Sequence, residues 1–306
     1  MIALGELSPA ALARRLAAGD VVLHAGPFLL RVACDAPLFA RHLALMYPHH
    51  PLSTAAEAPV CDFSVRMETD RGWRRWYRPR IRFRAEGPDP LAPFPRDHAL
   101  PLFEWGINFH IGFFANRWLL LHAAVLARDD RALILPGYPG SGKSTLAAAL
   151  MMRGWRLFSD EFGVVDPRSG LLYPLARPVA LKNASIPALT HFAPAAPLGP
   201  PFPRTRKGTV AHLPPDAASV AAMHRPARPA WVVAPAFAAG QTLRWQEVRE
   251  RERFLLLAGH AFNYEVHGAE GFAVVADLMT RCRFARLNHG DLASAVTAVE
   301  DFTHDG

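Results

Sequence analysis

Residues 137–145 read Gly137-Tyr138-Pro139-Gly140-Ser141-Gly142-Lys143-Ser144-Thr145 and satisfy the pattern G-x-x-x-x-G-K-[ST] in full. These types at this spacing describe a cradle for phosphate. Glycines let backbone N–H groups converge on anionic oxygens, Lys143 can bridge β- and γ-phosphates, and the Ser144 hydroxyl can ligate Mg²⁺. A helix starting at Lys143 would add the positive end of its dipole. For the run to be a glycine-rich turn that binds nothing, lysine, hydroxyl and flanking elements would have to coincide by accident. The chain is therefore expected to bind ATP with Mg²⁺.

Asp160 and Glu161 follow the helix that the loop opens. Two adjacent carboxylates at the end of a strand near a γ-phosphate can divide the work of phosphoryl transfer. One takes the proton of an attacking hydroxyl and the other helps fix the metal. The competing reading is an acidic pair that begins a solvent turn. Arg177 and Lys182 could ground phosphates or acceptor by charge, or else flank the Pro178 turn on the surface. Arg204, Arg206 and Lys207, in PRTRKGTVAH, form a basic cluster on an expected flexible loop, either closing over a ligand or simply solvated. His122, in LLLHAAVLA, reads from its neighbours alone as a hydrogen-bonded core histidine.

The elements around these residues are mixed α and β. Two apolar runs, Trp118 to Ala127 and Ala132 to Pro136, predict a hairpin leading into the loop, and Ser144 to Arg153 predicts the helix after it. Short strands are expected at Trp155 to Phe158, Phe162 to Val165 and Leu171 to Ala176. Further on come a strand at Trp231 to Val233, helices near Phe254 to Phe262 and Phe272 to Thr280, a strand at Arg283 to Leu287 and a last helix from Asp291. Upstream, Ser8-Pro9 opens a capped helix closed by Gly19. Val21 to Ala33 alternates about a Gly-Pro break, and Leu38 to Tyr47 has helical spacing. Cys61 to Met67 and Trp73 to Arg84 predict a hairpin whose second strand puts Arg74, Arg78, Arg80, Arg82 and Arg84 on one face and Tyr77, Ile81 and Phe83 on the other. That basic face is either an anion surface or a solvated edge strand protected by its charge. His98 to Asn116 reads as an amphipathic helix, and the proline-rich stretch from Ala193 to Arg204 as a loop.

A chain of 306 residues, 51% hydrophobic and 20% charged, can bury a sizeable core, and its length predicts a smaller α+β unit over 1–116 and a catalytic unit over 117–306. Three separated cysteines argue against a disulfide framework and for a reducing, cytoplasmic setting. The start lacks a signal peptide, and no apolar run is long enough to span a membrane. The net charge of +7 favours anionic partners. Nucleic acid is disfavoured because only Trp73, Trp76 and Tyr77 interleave with the arginines. The histidines show no zinc-site spacing.

The segment LLLHAAVLARDDRALILPGYPGSGKSTLAAALMMRGWRLFSDEFGVV resembles the core of the HPr kinase superfamily, and more narrowly the HPr-kinase-related bacterial proteins that accompany peptide-modification gene clusters. The resemblance covers about residues 117–185. It implies an α/β phosphate-loop kinase core in which His122 lies near the transferred phosphate and Lys143 and Ser144 ligate nucleotide and Mg²⁺. Asp160 would be the catalytic base and Glu161 would assist the metal. The chain has Asp-Glu where those kinases usually have Asp-Asp, and Arg177-Pro178 where they carry an Arg-Gly associated with the reverse reaction, so reverse activity is not carried over. The resemblance further implies a serine or threonine acceptor on a protein or ribosomally made peptide, presented by a small peptide-binding partner and docked on the N-terminal unit. Homo-oligomeric assembly would suit it too. The alternatives are a nucleotide-gated peptide-binding module without transfer, and an ATPase or small-molecule kinase.

Overall fold

The structure, a computed structural model, describes residues 1–87 and 91–304. It is mixed α/β, and among those residues the strands form sheets of seven, eight and three. The first sheet is built from β1 (Ile2–Ala3), β2 (Val22–Ala25), β3 (Phe28–Cys34), β4 (Pro51–Ser53), β5 (Phe63–Thr69), β6 (Arg80–Arg84) and β7 (Phe94–Pro95), in the order β1-β4-β2-β3-β5-β6-β7. Helices α1 (Pro9–Ala18), α2 (Pro37–Met46) and α3 (Ala99–Phe114) pack against it. Helix α1 starts where Ser8 Oγ accepts the N–H of Ala11 at 3.2 Å, and stops at Gly19 with φ 70°. Its Leu12 and Leu16 enter the same core as Phe39, Phe83 and Phe103. Gly106 lets α3 press its backbone onto the Phe83 ring, where any Cβ would collide.

The basic strand is shorter than the spacing predicts. Residues 72–75 form a 3₁₀ turn, Arg78 has φ 49°, and β6 begins only at Arg80. Pro79 is the physical reason, because it has no N–H to give a ladder. Within β6 the alternation holds, with Ile81 and Phe83 buried and Arg80 and Arg84 exposed. Tyr77 lies outside the strand and is exposed, and the side chain of Arg74 lies outside those described.

The central sheet starts with the hairpin of β8 (Leu119–Arg128) and β9 (Arg131–Pro136), after which the loop runs into α4 (Lys143–Met152). Next, β10 (Arg156–Ser159) and β11 (Phe162–Val165) lie antiparallel along the other edge of β8, followed by β12 (Leu172–Tyr173). Then β13 (Val179–Lys182), β14 (Phe202–Thr205) and β15 (Gly208–Leu213) form a separate sheet ordered β13-β15-β14, with α5 (Ser185–Phe192) between its first two strands in the chain, which the sequence reading missed. The chain closes with α6 (Ala217–Ala221), β16 (Arg228–Phe237), β17 (Arg244–Glu247), α7 (Glu250–Ala258), α8 (Tyr264–Arg281), β18 (Arg283–His289) and α9 (Leu292–His304). Strand β16 is parallel to β9 and to β18, so the sheet is mixed, ordered β12-β11-β8-β9-β16-β18-β17 with β10 beside β8.

Alternate residues of β8 and β9 feed two cores. Ala124, Leu126, Leu133 and Leu135 pack with α4, α5 and α9, while Ala123, Val125, Ala127 and Ile134 pack with α7 and α8. Apolar packing also crosses residue 116, since one cluster joins Phe39 and Phe103 to Leu120, Phe162, Leu175 and Phe202. Among the described residues no helix is long and apolar enough to cross a membrane.

Two fully buried histidines at this junction are expected to make the fold acid-labile. His50 donates from Nε2 to the Ala176 carbonyl at 2.7 Å, and burial, with Arg177 nearby, pulls its pKa to about 4. Among the described residues His212 finds no partner for either ring nitrogen, and burial with Arg177 and Lys182 pulls it to about 3. Both folded values lie below the unfolded one, so the folded state refuses protons that the unfolded state accepts. Stability is then complete above about pH 6.5 and falls on acidification by about 1.4 kcal/mol per pH unit per histidine down to the folded values. Urea unfolding at pH 7 and pH 5 is expected to show the midpoint dropping, and a His212→Phe variant to show a shallower drop.

Candidate functional site

The glycine loop occupies the junction the sequence predicts, between β9 and α4. Gly142 caps α4 with φ 91°, a left-handed conformation costly for other residues, and a Cβ there would stand 3.1 Å from that of Phe237. The neighbouring parallel strand pins the turn, because the Phe237 N–H donates to the Ser141 carbonyl at 3.1 Å. Gly137 is buried, Tyr138, Pro139 and Gly140 are exposed, and the Tyr138 ring lies against His260 at 4.7 Å. The Ser141 hydroxyl is buried, with no partner among the described residues. Ser144 is half-buried beside Lys143. Thr145 differs from expectation: its hydroxyl donates to Ser185 Oγ at 2.8 Å, tying α4 to α5.

Lys143 is buried, and its Nζ lies 3.2 Å from His122 Nε2, which lies 3.6 Å from Glu161 Oε1. His122 is therefore no plain core residue. Its backbone N–H is bonded to the His260 carbonyl, and its ring packs on Phe262 at 5.3 Å. Burial pulls the Lys143 ammonium below its ordinary value while Glu161 and Asp160 hold it up.

Asp160 and Glu161 sit where β10 gives way to β11. Ser159 faces Val125 and Phe162 faces His122, so the register on β8 is the same on both sides and the two acids occupy an unpaired step between them. Ser159 Oγ accepts the N–H groups of Glu161 at 3.2 Å and Phe162 at 3.0 Å, which holds the step open. The acids thus end β10 as expected, but on the antiparallel side of the sheet. Asp160 Oδ2 accepts the Ala180 N–H at 3.1 Å. Burial, and then the Glu161 charge, push the Asp160 carboxyl above its ordinary value. Burial also works to raise Glu161, but the His122 hydrogen bond and the Lys143 charge outweigh it and hold that carboxyl below its ordinary value. The two neighbours are driven apart, one more basic and one firmly anionic.

Arg177, expected at the phosphates or on the surface, is buried in an ion pair with Glu104 at 2.6 Å and donates to Asn108 Oδ1 at 2.7 Å. Tyr47 donates to the other Glu104 oxygen at 2.5 Å. The reason is tertiary: α3 brings a carboxylate that its own sequence gives no reason to pair with residue 177. The network holds Arg177 close in the chain to Ala180, whose N–H Asp160 accepts.

Arg204, Arg206 and Lys207 do not form an open loop. Residues 206–207 are the turn of a tight β14–β15 hairpin, with Thr205 opposite Gly208. Lys207 reaches back over the Trp105 ring at 4.8 Å. A narrow cleft is thereby lined by Trp105, Asn108, Asp160, Glu161, Lys182 and Lys207. Sequence reasoning missed Glu104, Trp105, Asn108 and Ala180. The only local signal was the polarity of Glu104 and Asn108 within an otherwise apolar helix.

The site suits a nucleotide. The buried Lys143 ammonium has hydrogen-bonding capacity left for an anion, and among the described residues Ser141 Oγ is a further unpartnered donor. Among the described residues no three His, Cys, Asp or Glu side chains gather as a self-sufficient metal cage. Ser144, Asp160 and Glu161 are the oxygen-bearing side chains that could hold Mg²⁺ together with a phosphorylated substrate.

No family model and no curated protein matches the sequence. Among solved structures, the Hpr(Ser) kinase/phosphatase from Coxiella burnetii is similar at a TM-score of 0.26 and 12% identity, over 61% of this chain and 99% of that one. At that similarity the chemistry has to be argued from the site's own residues.

Proposed function

We propose that the chain is an ATP-dependent kinase with a phosphate-loop core of HPr kinase type, transferring the γ-phosphoryl group to a serine or threonine hydroxyl of a protein or ribosomally made peptide. The observation that supports it best is the meeting of the loop lysine with His122 and Glu161, beside the buried Asp160 whose charge acts on Lys143. In this reading the loop N–H groups and Lys143 bind the phosphates of ATP and stabilise the charge that spreads over them during transfer. Ser144 and Glu161 would hold Mg²⁺, which supplies further neutralisation of phosphate oxygens, while Asp160 is kept for the proton. Asp160, raised toward neutrality, is suited to take a proton. As the acceptor oxygen bonds to the γ-phosphorus, its proton passes to Asp160, the bond from that phosphorus to the β–γ bridging oxygen breaks, and ADP leaves. His122 keeps Lys143 and Glu161 apart and aligned.

The test is transfer from γ-labelled ATP with Mg²⁺, using the purified protein with peptides encoded near it and with lysate, and locating the product by mass spectrometry. A discrete phosphoserine or phosphothreonine is the expected result. ATP turnover without acceptor would favour an ATPase, and binding without any transfer would favour a nucleotide-gated module.

A further inference from the structure

Of the 34 lysine and arginine residues in this chain only three are lysine, at positions 143, 182 and 207. All three stand around the same pair of carboxylates. Elsewhere the chain uses arginine for every basic task, so the exceptions mark places where a compact, flexible point charge serves and a planar fork does not. Lys143 belongs to the glycine loop. Lys182 and Lys207 are left without a role.

Their surroundings point to one. Lys182 follows Ala180 by two residues on β13, hence on the same face, and the Ala180 N–H binds Asp160. Lys207 comes in from the β14–β15 hairpin over Trp105. Among the described residues neither ammonium has a carboxylate within ion-pair distance. The nearby acids are engaged elsewhere, Asp160 by Ala180, Glu161 by His122 and Glu104 by Arg177. Burial, and then repulsion from Lys182, lowers the Lys207 pKa, and the Glu161 and Asp160 charges offset this only in part. No residue of 137–145 lines the cleft. Nucleotide phosphates on the loop therefore lie beyond the carboxylates, and the cleft is left for the acceptor.

We propose that Lys182 and Lys207, over the Trp105 ring, form a subsite for an anionic group adjoining the acceptor hydroxyl. This rests on the kinase reading for the word acceptor. The shared chemistry is a carboxylate close to a hydroxyl, either an Asp or Glu side chain flanking serine in a peptide or the carboxylate of a small hydroxy acid.

With only three lysines, competitive acylation read by mass spectrometry reports each ammonium separately. The full chain is saturated with Mg²⁺ and a non-hydrolysable ATP analogue, then challenged with an Asp-flanked serine peptide, its Lys-flanked counterpart, or glycerate. The analogue alone is expected to protect Lys143, and an acidic probe to slow acylation of Lys182 and Lys207 by about tenfold, a difference of roughly 1.4 kcal/mol in occupancy. Stronger protection by the peptide or by glycerate identifies the source. Protection of Lys182 and Lys207 by the analogue alone, or by neither acidic probe, overturns the proposal. Because this reads binding, a failure of phosphoryl transfer with protection intact would remove the kinase reading only. In transfer assays, Lys182→Glu combined with Lys207→Glu is expected to invert the preference toward Lys-flanked peptides. An unchanged preference would overturn the proposal as well.

Discussion

Asp160→Asn is expected to slow phosphoryl transfer by roughly 10²–10⁴-fold while leaving ATP affinity near wild type. Asparagine keeps an oxygen to accept the Ala180 N–H, so the step between β10 and β11 and the chain at 176–180 keep their arrangement. It also keeps the neighbouring Glu161 in contact with His122. What it removes is the carboxylate that burial and Glu161 have made more basic. Single-turnover transfer and nucleotide titration, run side by side, check this. A rate within about threefold of wild type would show that the proton goes elsewhere. A matching loss of ATP binding would mean that Asp160 holds the metal and nucleotide rather than the proton.

Glu104→Ala is expected to destabilise the fold by about 3–5 kcal/mol, the largest effect on stability of any single change at this site. Its carboxylate bonds both Tyr47 and Arg177, and Arg177 is fully buried. Alanine would strand a guanidinium away from water with only Asn108, a backbone carbonyl and a phenol to face. Replacing Glu104 and Arg177 together, by Leu and Met, is expected to recover most of that loss, because the cost lies in the unpaired charge rather than in the absence of the pair. Urea unfolding of the single and double variants gives both numbers. A Glu104→Ala midpoint near wild type would mean that water reaches Arg177. The double variant separates positioning from stability: if it is stable yet slow in transfer, with ATP binding unchanged, the network acts by holding the Ala180 N–H against Asp160.

The loop, its strand and its helix were legible because they are local. A hydrophobic hairpin, a run of glycines and an alanine-rich helix obey spacing rules that operate within about twenty residues. The same holds for the cap at Ser8, the close at Gly19 and the pairing of β8 with β9. The three-stranded sheet was not legible. Its strands are short, half-polar and separated by a proline-rich stretch, and Val179–Lys182 pairs with residues some thirty positions away. The Arg74 to Arg84 strand was read too long because alternation continues through Pro79, which the ladder does not tolerate.

By itself, then, the sequence determined which side chains could meet a phosphate: Lys143 and Ser144 by motif, and Asp160 and Glu161 by their place after the loop helix. Only the tertiary structure decided that His122 stands between Lys143 and Glu161, that Arg177 is consumed by Glu104, and that Lys182 and Lys207 share a cleft with Trp105. The reason is physical. A motif encodes contacts along one stretch of backbone, whereas the pairing of charges drawn from α3, β13 and the β14–β15 hairpin depends on how apolar surfaces far apart in the chain pack, and packing chooses neighbours that spacing cannot name.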